Sequence, residues 1–234
     1  MVLAAGRGER MRPLTDGCPK PLLPVRGKPL IAWQIERLVR AGYDDLVINV
    51  SYRASQIVDW LGDGTRFGAS ISYSHEVEPL ESGGGLAHAL PLLGVGPVLV
   101  VAADVYSEFD YAGLETARLE LAAANDLLAH LVLVPNPSFR PLGDYALSAA
   151  GKPRMVGMAG SPLWTWAGIG LFHTNLLREI PIGKKIPLLP FFSDWISRGQ
   201  VTGEIYAGLW DNVGTPEQLH RLDLNLSGAF AARK

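Results

Sequence analysis

The residues best equipped for chemistry stand in two places. Near the start, LAAGRGERMRP begins at Leu3 and is soon followed by CPKPLLPV. Arg7, Arg10, Arg12 and Lys20 bring four positive charges into fourteen residues, with Glu9 and Asp16 as the local acids. Gly6 and Gly8 carry no side chains, so backbone N–H groups there can approach an anion closely. A polyphosphate is the ligand such a loop suits. Lys20 lies between Pro19 and Pro21 and has little freedom to retreat from it. The second place is Asp104, at the end of the apolar run PVLVVAAD. A carboxylate just past the end of a buried strand faces the ligand crevice of an open α/β sheet. Its oxygens suit Mg2+, which takes one or two carboxylates together with substrate phosphates.

Other chemistries fit less well. A dinucleotide fingerprint needs a glycine where Met11 stands, and the glycine-lysine-hydroxyl run of a P-loop does not occur. The five histidines never fall at zinc-ligand spacing. No G-x-S-x-G elbow surrounds a serine nucleophile.

The elements that must position these residues read as a wound sheet with covering helices. MVLAA is a short strand entering the glycine loop, and DLVINV, ASISYS, PVLVVAAD and LLAHLVLVP are further strands. PLIAWQIERLVRAG is a helix, with Ile31, Ile35, Leu38 and Val39 at helical spacing, and ASQIVDWLG is another. Gly83, Gly84 and Gly85 read as a loop ahead of a helix that runs to Pro91. Beyond residue 136 turns link short strands, followed by the strand WTWAGIGLFH and the helix IPLLPFFSDWISRG. The aromatic residues Trp164, Trp166, Phe191, Phe192 and Trp195 fit a core better than a sugar-binding floor. In TPEQLHRLDLNL, Thr215 is the N-cap of a closing helix and Gln218 completes a capping box. No linker or repeat interrupts the pattern, which gives one domain over residues 1–226 and a short tail over 227–234.

The run LAAGRGERMRPLT…PKPLLPV resembles the opening motif of the sugar-1-phosphate nucleotidyltransferases. That resemblance implies a Rossmann-like α/β/α sandwich with a mixed, mostly parallel sheet. The implied reaction joins a nucleoside triphosphate to a sugar 1-phosphate and releases pyrophosphate. Through ESGGGLAHAL, LAHLVLVPNP, GDYAL and VTGEIYAGLW the chain is most similar to the N-acetylmuramate-1-phosphate uridylyltransferases of bacterial cell-wall recycling. These are short members that use UTP.

Carried onto this sequence, the resemblance implies Arg12, Lys20 and Asp104 as catalytic residues. Leu3, Ala5, Gly6, Arg7, Gly8, Ser82 and Gly84 would hold the nucleotide, and Gly143 and Asp144 the sugar. Asp104 would bind Mg2+. The family's second metal ligand falls at Asn212 in WDNVGT, with Asp211 as the rival. Strand neighbours face opposite sides, so Asp211 needs a bulge to take that place. Lys185 is a candidate for the sugar's phosphate.

Composition narrows the partners. The formal charge is -2, from 21 basic and 23 acidic residues, without the basic excess of a nucleic-acid binder. The single Cys18 excludes an internal disulfide. No apolar run approaches a membrane span and no secretory leader is recognisable, so a cytoplasmic protein with small-molecule substrates is expected.

Overall fold

The computed structural model describes residues 1–149, 154–160 and 162–231. Part of the turn-rich stretch (150–153 and 161) and the last three residues of the tail lie outside the described residues. In chain order the elements begin with β1 (Val2–Leu3), the hairpin β2 (Pro24–Val25) and β3 (Lys28–Pro29), α1 (Leu30–Arg40) and β4 (Asp45–Val50). Next come α2 (Ala54–Leu61), β5 (Ser70–His75), α3 (Glu81–Leu93), β6 (Pro97–Ala102), β7 (Val105–Ser107) and α4 (Glu115–Ala123). Then follow β8 (Ala129–Val134), β9 (Tyr145–Leu147), β10 (Val156–Gly157), β11 (Leu163–His173) and α5 (Thr174–Leu177). The chain closes with α6 (Leu189–Ser197), β12 (Val201–Ile205), β13 (Trp210–Asn212) and α7 (Pro216–Ala231).

One sheet organises the molecule. The strands β5, β4, β1 and β6 run parallel side by side, and β11 then joins β6 antiparallel. Beyond β11 lie β8, with β12 parallel to it, and the antiparallel pair β9 and β10. The sheet is mixed, as expected. Its apolar strands are continuous because both faces are covered. In β4, Leu46, Ile48 and Val50 join one core with Ile31, Ile35 and Leu38 of α1 and Ile57 of α2. Val47 faces the other core, with Leu86 of α3 and Phe192 and Trp195 of α6. Helices therefore lie on both sides, in an α/β/α sandwich.

The aromatics of the second half belong to that second core. Trp195 is fully buried, Phe172 stacks on Phe192 with ring centroids 5.7 Å apart, and Trp166 meets Phe192 edge-on at 5.0 Å. None of them lines the large cleft described below. Burying aromatic rings in offset and edge-on pairs contributes beyond the area removed from water.

A third, smaller core lies beneath the glycine loop. Met11, fully buried, packs with Val25, Leu30, Tyr106 and Val213 and with Leu222 and Leu226 of α7. The closing helix starts at the expected cap, Thr215, but the Gln218 side chain returns to Gly214, one residue before it. Gln218 N–H donates to Thr215 Oγ1 at 3.3 Å, and the Gln218 side chain accepts from Gly214 N–H at 2.7 Å. The helix therefore fixes both its own start and the underside of the glycine loop.

Candidate active site

A cleft of about 780 Å³ opens at the carboxyl ends of the parallel strands. Leu3 of β1, Asn49 of β4 and Ala102 of β6 form its floor, and Ala4 to Arg10 form one wall. Crevices at this edge are where open α/β sheets bind ligands. Lys20, Asp104, Lys185 and Gly214 also line it, as do Glu78, Glu81 and Ser82.

The glycine loop is shaped by its own chemistry. Gly8 has φ +64°, the left-handed region that favours glycine. A Cβ there would meet Lys20 Cβ at 3.0 Å and Thr15 Cγ2 at 3.1 Å. The bare backbone thus lets the loop close over the stem of Lys20. Thr15 Oγ1 donates to the Gly8 carbonyl at 2.9 Å and holds the loop from behind. A buried polar chain ties this wall to the opposite one. Ala4 N–H donates to Asn49 Oδ1, Asn49 Nδ2 donates to Glu76 Oε1, and Leu80 N–H donates to Glu76 Oε2, at 2.8, 2.7 and 2.8 Å.

At the centre, Lys20 Nζ and Asp104 Oδ2 form an ion pair of 2.6 Å, with side-chain exposures of 11% and 30%. Two residues far apart in sequence, each singled out there, are in direct contact. The segment after Asp104 is fixed from both sides. Val213 N–H donates to the Asp104 carbonyl at 2.9 Å, and Gln34 Nε2 donates to the Val105 carbonyl at 2.6 Å.

The arginines sort differently from the expectation. Arg7 and Arg10 line the cleft, and Arg10 reaches across to Gly214. Arg12 does not line it; its exposed side chain turns to Asp16 at 3.4 Å. The short 3-10 turn Glu9–Met11 buries Met11 and sends its neighbours to different sides. The signal for Arg10 was present in the sequence. Arg10 lies two residues after Gly8, in the same basic run as Arg7 and Arg12.

Asn212 and Asp211 separate as strand geometry requires. β13 pairs antiparallel with β7, placing Asn212 opposite Val105, the residue after Asp104. Asp211 turns the other way, where Arg221 Nη2 donates to both its oxygens at 3.1 Å. Burial pushes the Asp211 carboxyl above the usual range, against the pull of Arg221. Asp211 lines a second, smaller hollow with Trp210 and Arg221, away from the cleft.

The three glycines differ from their sequence reading. α3 begins at Glu81, so Gly83, Gly84 and Gly85 are helical, and the helix continues through Pro91 to Leu93. A Cβ on Gly84 would lie 2.1 Å from the Lys184 carbonyl oxygen, and one on Gly83 2.9 Å from that of Ile186. Gly84 N–H donates to the Ile186 carbonyl and Ile186 N–H to that of Leu80, at 2.9 and 3.0 Å. Leu188 N–H donates to Ser82 Oγ at 3.0 Å. Gly83, Gly84 and Ser82 therefore seat the segment 184–188, which carries Lys185 into the cleft, while Gly85 makes room for the Asn49 and Glu76 side chains. Ser82 itself lines the cleft; Gly84 does not.

Gly143 and Asp144 lie outside the cleft. The Asp144 carboxylate accepts from Trp166 N–H at 3.0 Å and from Arg140, which fixes β11 against the preceding turn. Gly143, with φ +70°, lies against Asn136. These contacts give both residues a structural task.

For a cation, the donor set of the cleft is one carboxylate, Asp104; Asn212 pairs through its backbone with Val105 and is not among the residues that line the cleft. Among the described residues no group of three or more histidine, cysteine, aspartate or glutamate side chains could hold a metal. This set suits Mg2+ carried in with substrate phosphates and suits neither zinc nor a self-sufficient cage.

The sheet, the cleft at its carboxyl edge and the basic glycine loop define a nucleotide-handling α/β protein. A model of the nucleotidyl transferase family matches residues 1–139, and the chain belongs to that family. It is 44% identical over 233 residues to an N-acetylmuramate alpha-1-phosphate uridylyltransferase of Neisseria meningitidis serogroup B, covering 98% of each chain. It is 34% identical over 224 residues to the protein of the same name from Caulobacter vibrioides, covering 93% of this chain and 92% of that one. Among solved structures, a Bacillus anthracis protein assigned as a glucose-1-phosphate thymidylyltransferase shares the fold. Its TM-score is 0.80 at 20% identity, over 96% of this chain and 93% of that one. Among the described residues no helix is long and apolar enough to cross a membrane.

Proposed function

We propose that this protein is a uridylyltransferase that joins UTP and N-acetylmuramate α-1-phosphate to give UDP-N-acetylmuramate and pyrophosphate. The observation that carries the reading is end-to-end similarity, at 44% identity, to a protein of that activity. The cleft supports it, with Arg7, Arg10 and Lys20 at the glycine-loop wall and Ser82 and Lys185 at the other. The place of the reaction would be peptidoglycan recycling in the cytoplasm.

The chemistry is an in-line displacement. A phosphate oxygen of the sugar 1-phosphate, already an anion, forms a new bond to the α-phosphorus of UTP. The bond to the β-phosphate oxygen breaks, and its electron pair leaves with pyrophosphate. No general base is needed, so the protein's contribution is positioning and charge neutralisation. Arg7, Arg10 and the loop amides around Gly8 neutralise the β- and γ-phosphates. Lys20 sits between donor and acceptor phosphates, where charge builds up in the transition state. Lys185 enters from the other wall and is available to the acceptor's phosphate. Asp104, with Asn212 as the proposed second ligand, would hold Mg2+, which when bound would supply charge neutralisation to the triphosphate.

Lys20 Nζ carries three donors and spends one on Asp104, so it has donors left for a phosphate. A cation held by Asp104 would draw the carboxylate away from Lys20, and a phosphate would give Lys20 a new partner, so the two ligands would favour each other's binding. The experiment is a matrix of UTP, CTP, dTTP, ATP and GTP against N-acetylmuramate, N-acetylglucosamine, glucose and mannose 1-phosphates, read as pyrophosphate release with Mg2+. The reading expects the largest kcat/KM for UTP with N-acetylmuramate 1-phosphate. Preference for another sugar would overturn the substrate and leave the reaction class; no release with any pair would overturn both.

A further inference from the structure

We infer that Tyr52 and Arg53, which lie outside the cleft, are positioning residues for its phosphate-binding end. They follow β4 and lead into α2. Arg53 holds φ 52° and ψ 39°, the left-handed region, although it is not glycine. A non-glycine residue in that region is a backbone outlier whose cost the surrounding contacts must offset. The contacts that accompany it converge on one short segment. Tyr52 Oη donates to the Thr15 carbonyl at 3.0 Å, the Arg53 guanidinium donates to the Asp16 carbonyl, and Gln56 Nε2 donates to the Gly17 carbonyl at 3.3 Å. Arg53 Nε also donates to Tyr52 Oη at 3.1 Å, which orients the phenol.

Three consecutive carbonyls are thus held from outside the cleft by one turn of chain. What they hold is the link between the two halves of the phosphate site. Thr15 is 2% exposed; its hydroxyl donates to the Gly8 carbonyl and its methyl packs where a Gly8 side chain would be. From Gly17 only Cys18 and Pro19 intervene before Lys20. Loosening residues 15–17 therefore moves Gly8 and Lys20 relative to each other and leaves Ser82 and Glu78, on the far wall, undisturbed. The effect falls on the triphosphate and not on the nucleoside. This inference rests on the uridylyltransferase reading and adds to it the residues that preset the cradle.

The test compares dissociation constants for Mg2+-UTP and for UMP, measured calorimetrically on the full chain. Arg53→Asn removes the reach to Asp16 and tolerates the left-handed backbone. It is expected to weaken UTP about tenfold while UMP stays within about twofold. Its melting temperature should stay within about 3 °C of the parent. Arg53→Lys keeps a donor for the Asp16 carbonyl and should recover UTP binding to within about threefold of the parent. Unchanged UTP affinity in Arg53→Asn, equal losses for UTP and UMP, or no recovery with lysine would each overturn the inference. Absence of UTP binding by the unaltered protein would instead sink the uridylyltransferase reading, and this inference with it.

Discussion

Gly84→Ala is a substitution for which helix propensity and tertiary packing give opposite answers. In a helix interior alanine is favoured over glycine by about 1 kcal/mol. Here the new Cβ would stand 2.1 Å from the Lys184 carbonyl oxygen and 3.0 Å from Leu80 Cβ. The closer atom is backbone, so relief requires the 184–188 segment to move by roughly an ångström. Such overpacking costs about 1–3 kcal/mol. The same shift strains the Gly84-to-Ile186 and Ser82-to-Leu188 hydrogen bonds, each worth about 1 kcal/mol. The net expectation is a loss of about 1–3 kcal/mol, or a melting temperature lower by roughly 2–12 °C for a chain of this size. Because the segment carries Lys185 into the cleft, KM for the sugar phosphate should rise more than KM for UTP. Thermal unfolding followed by circular dichroism and steady-state kinetics on the same preparation measure both. A melting temperature raised by the alanine would refute the argument, since propensity alone would then govern the site.

Arg10→Ala should raise the KM for UTP about tenfold or more, the scale of a lost charge-assisted contact. Arg12→Ala should stay within about twofold, because its side chain turns to Asp16 at the exposed surface; steady-state kinetics on the pair decides. Met11→Ala should lose about 2–5 kcal/mol in urea unfolding, because a fully buried side chain leaves a cavity between α7 and the glycine loop. UTP affinity should fall with it. His173 caps α5 by accepting from Asn175 N–H at 3.2 Å, and burial, helped by Arg178, holds its imidazole below the usual range. The folded state therefore binds fewer protons than the unfolded state just below the ordinary histidine value, so stability should fall as pH drops through about 6.5 and level off once the folded imidazole protonates. His173→Asn, which keeps a capping oxygen, should flatten that part of the stability–pH curve.

Much of the fold was legible because both sheet faces are covered. Continuous apolar runs such as DLVINV mark strands whose alternate residues feed two cores, and strand β4 spans the same residues as that run. The helix cap at Thr215 was equally local and equally readable. Strand alternation also foretold that Asp211 and Asn212 part company, and the Arg221 pair shows where Asp211 went. What could not be read depended on distant chain. Three glycines in a row suggest a loop from composition. For Gly83 and Gly84 the reason is a segment a hundred residues later that packs where their side chains would be, and for Gly85 it is the Asn49 and Glu76 side chains. The same limit applies to Arg10 and Arg12, whose sides are set by Met11 anchoring into a core built partly from α7. Asp144 looked like a sugar ligand in GDYAL, and only the fold reveals that Arg140 and the Trp166 amide occupy its oxygens.

The measurement that bears most directly on the account follows the α-phosphorus itself. With UTP labelled at the α-phosphate, N-acetylmuramate 1-phosphate and Mg2+, the label should appear in UDP-N-acetylmuramate, with one unlabelled pyrophosphate released per transfer. Without the sugar phosphate, none should remain on the protein, because direct displacement has no covalent intermediate. Label retained on the protein, or its failure to reach the sugar nucleotide, would contradict the account.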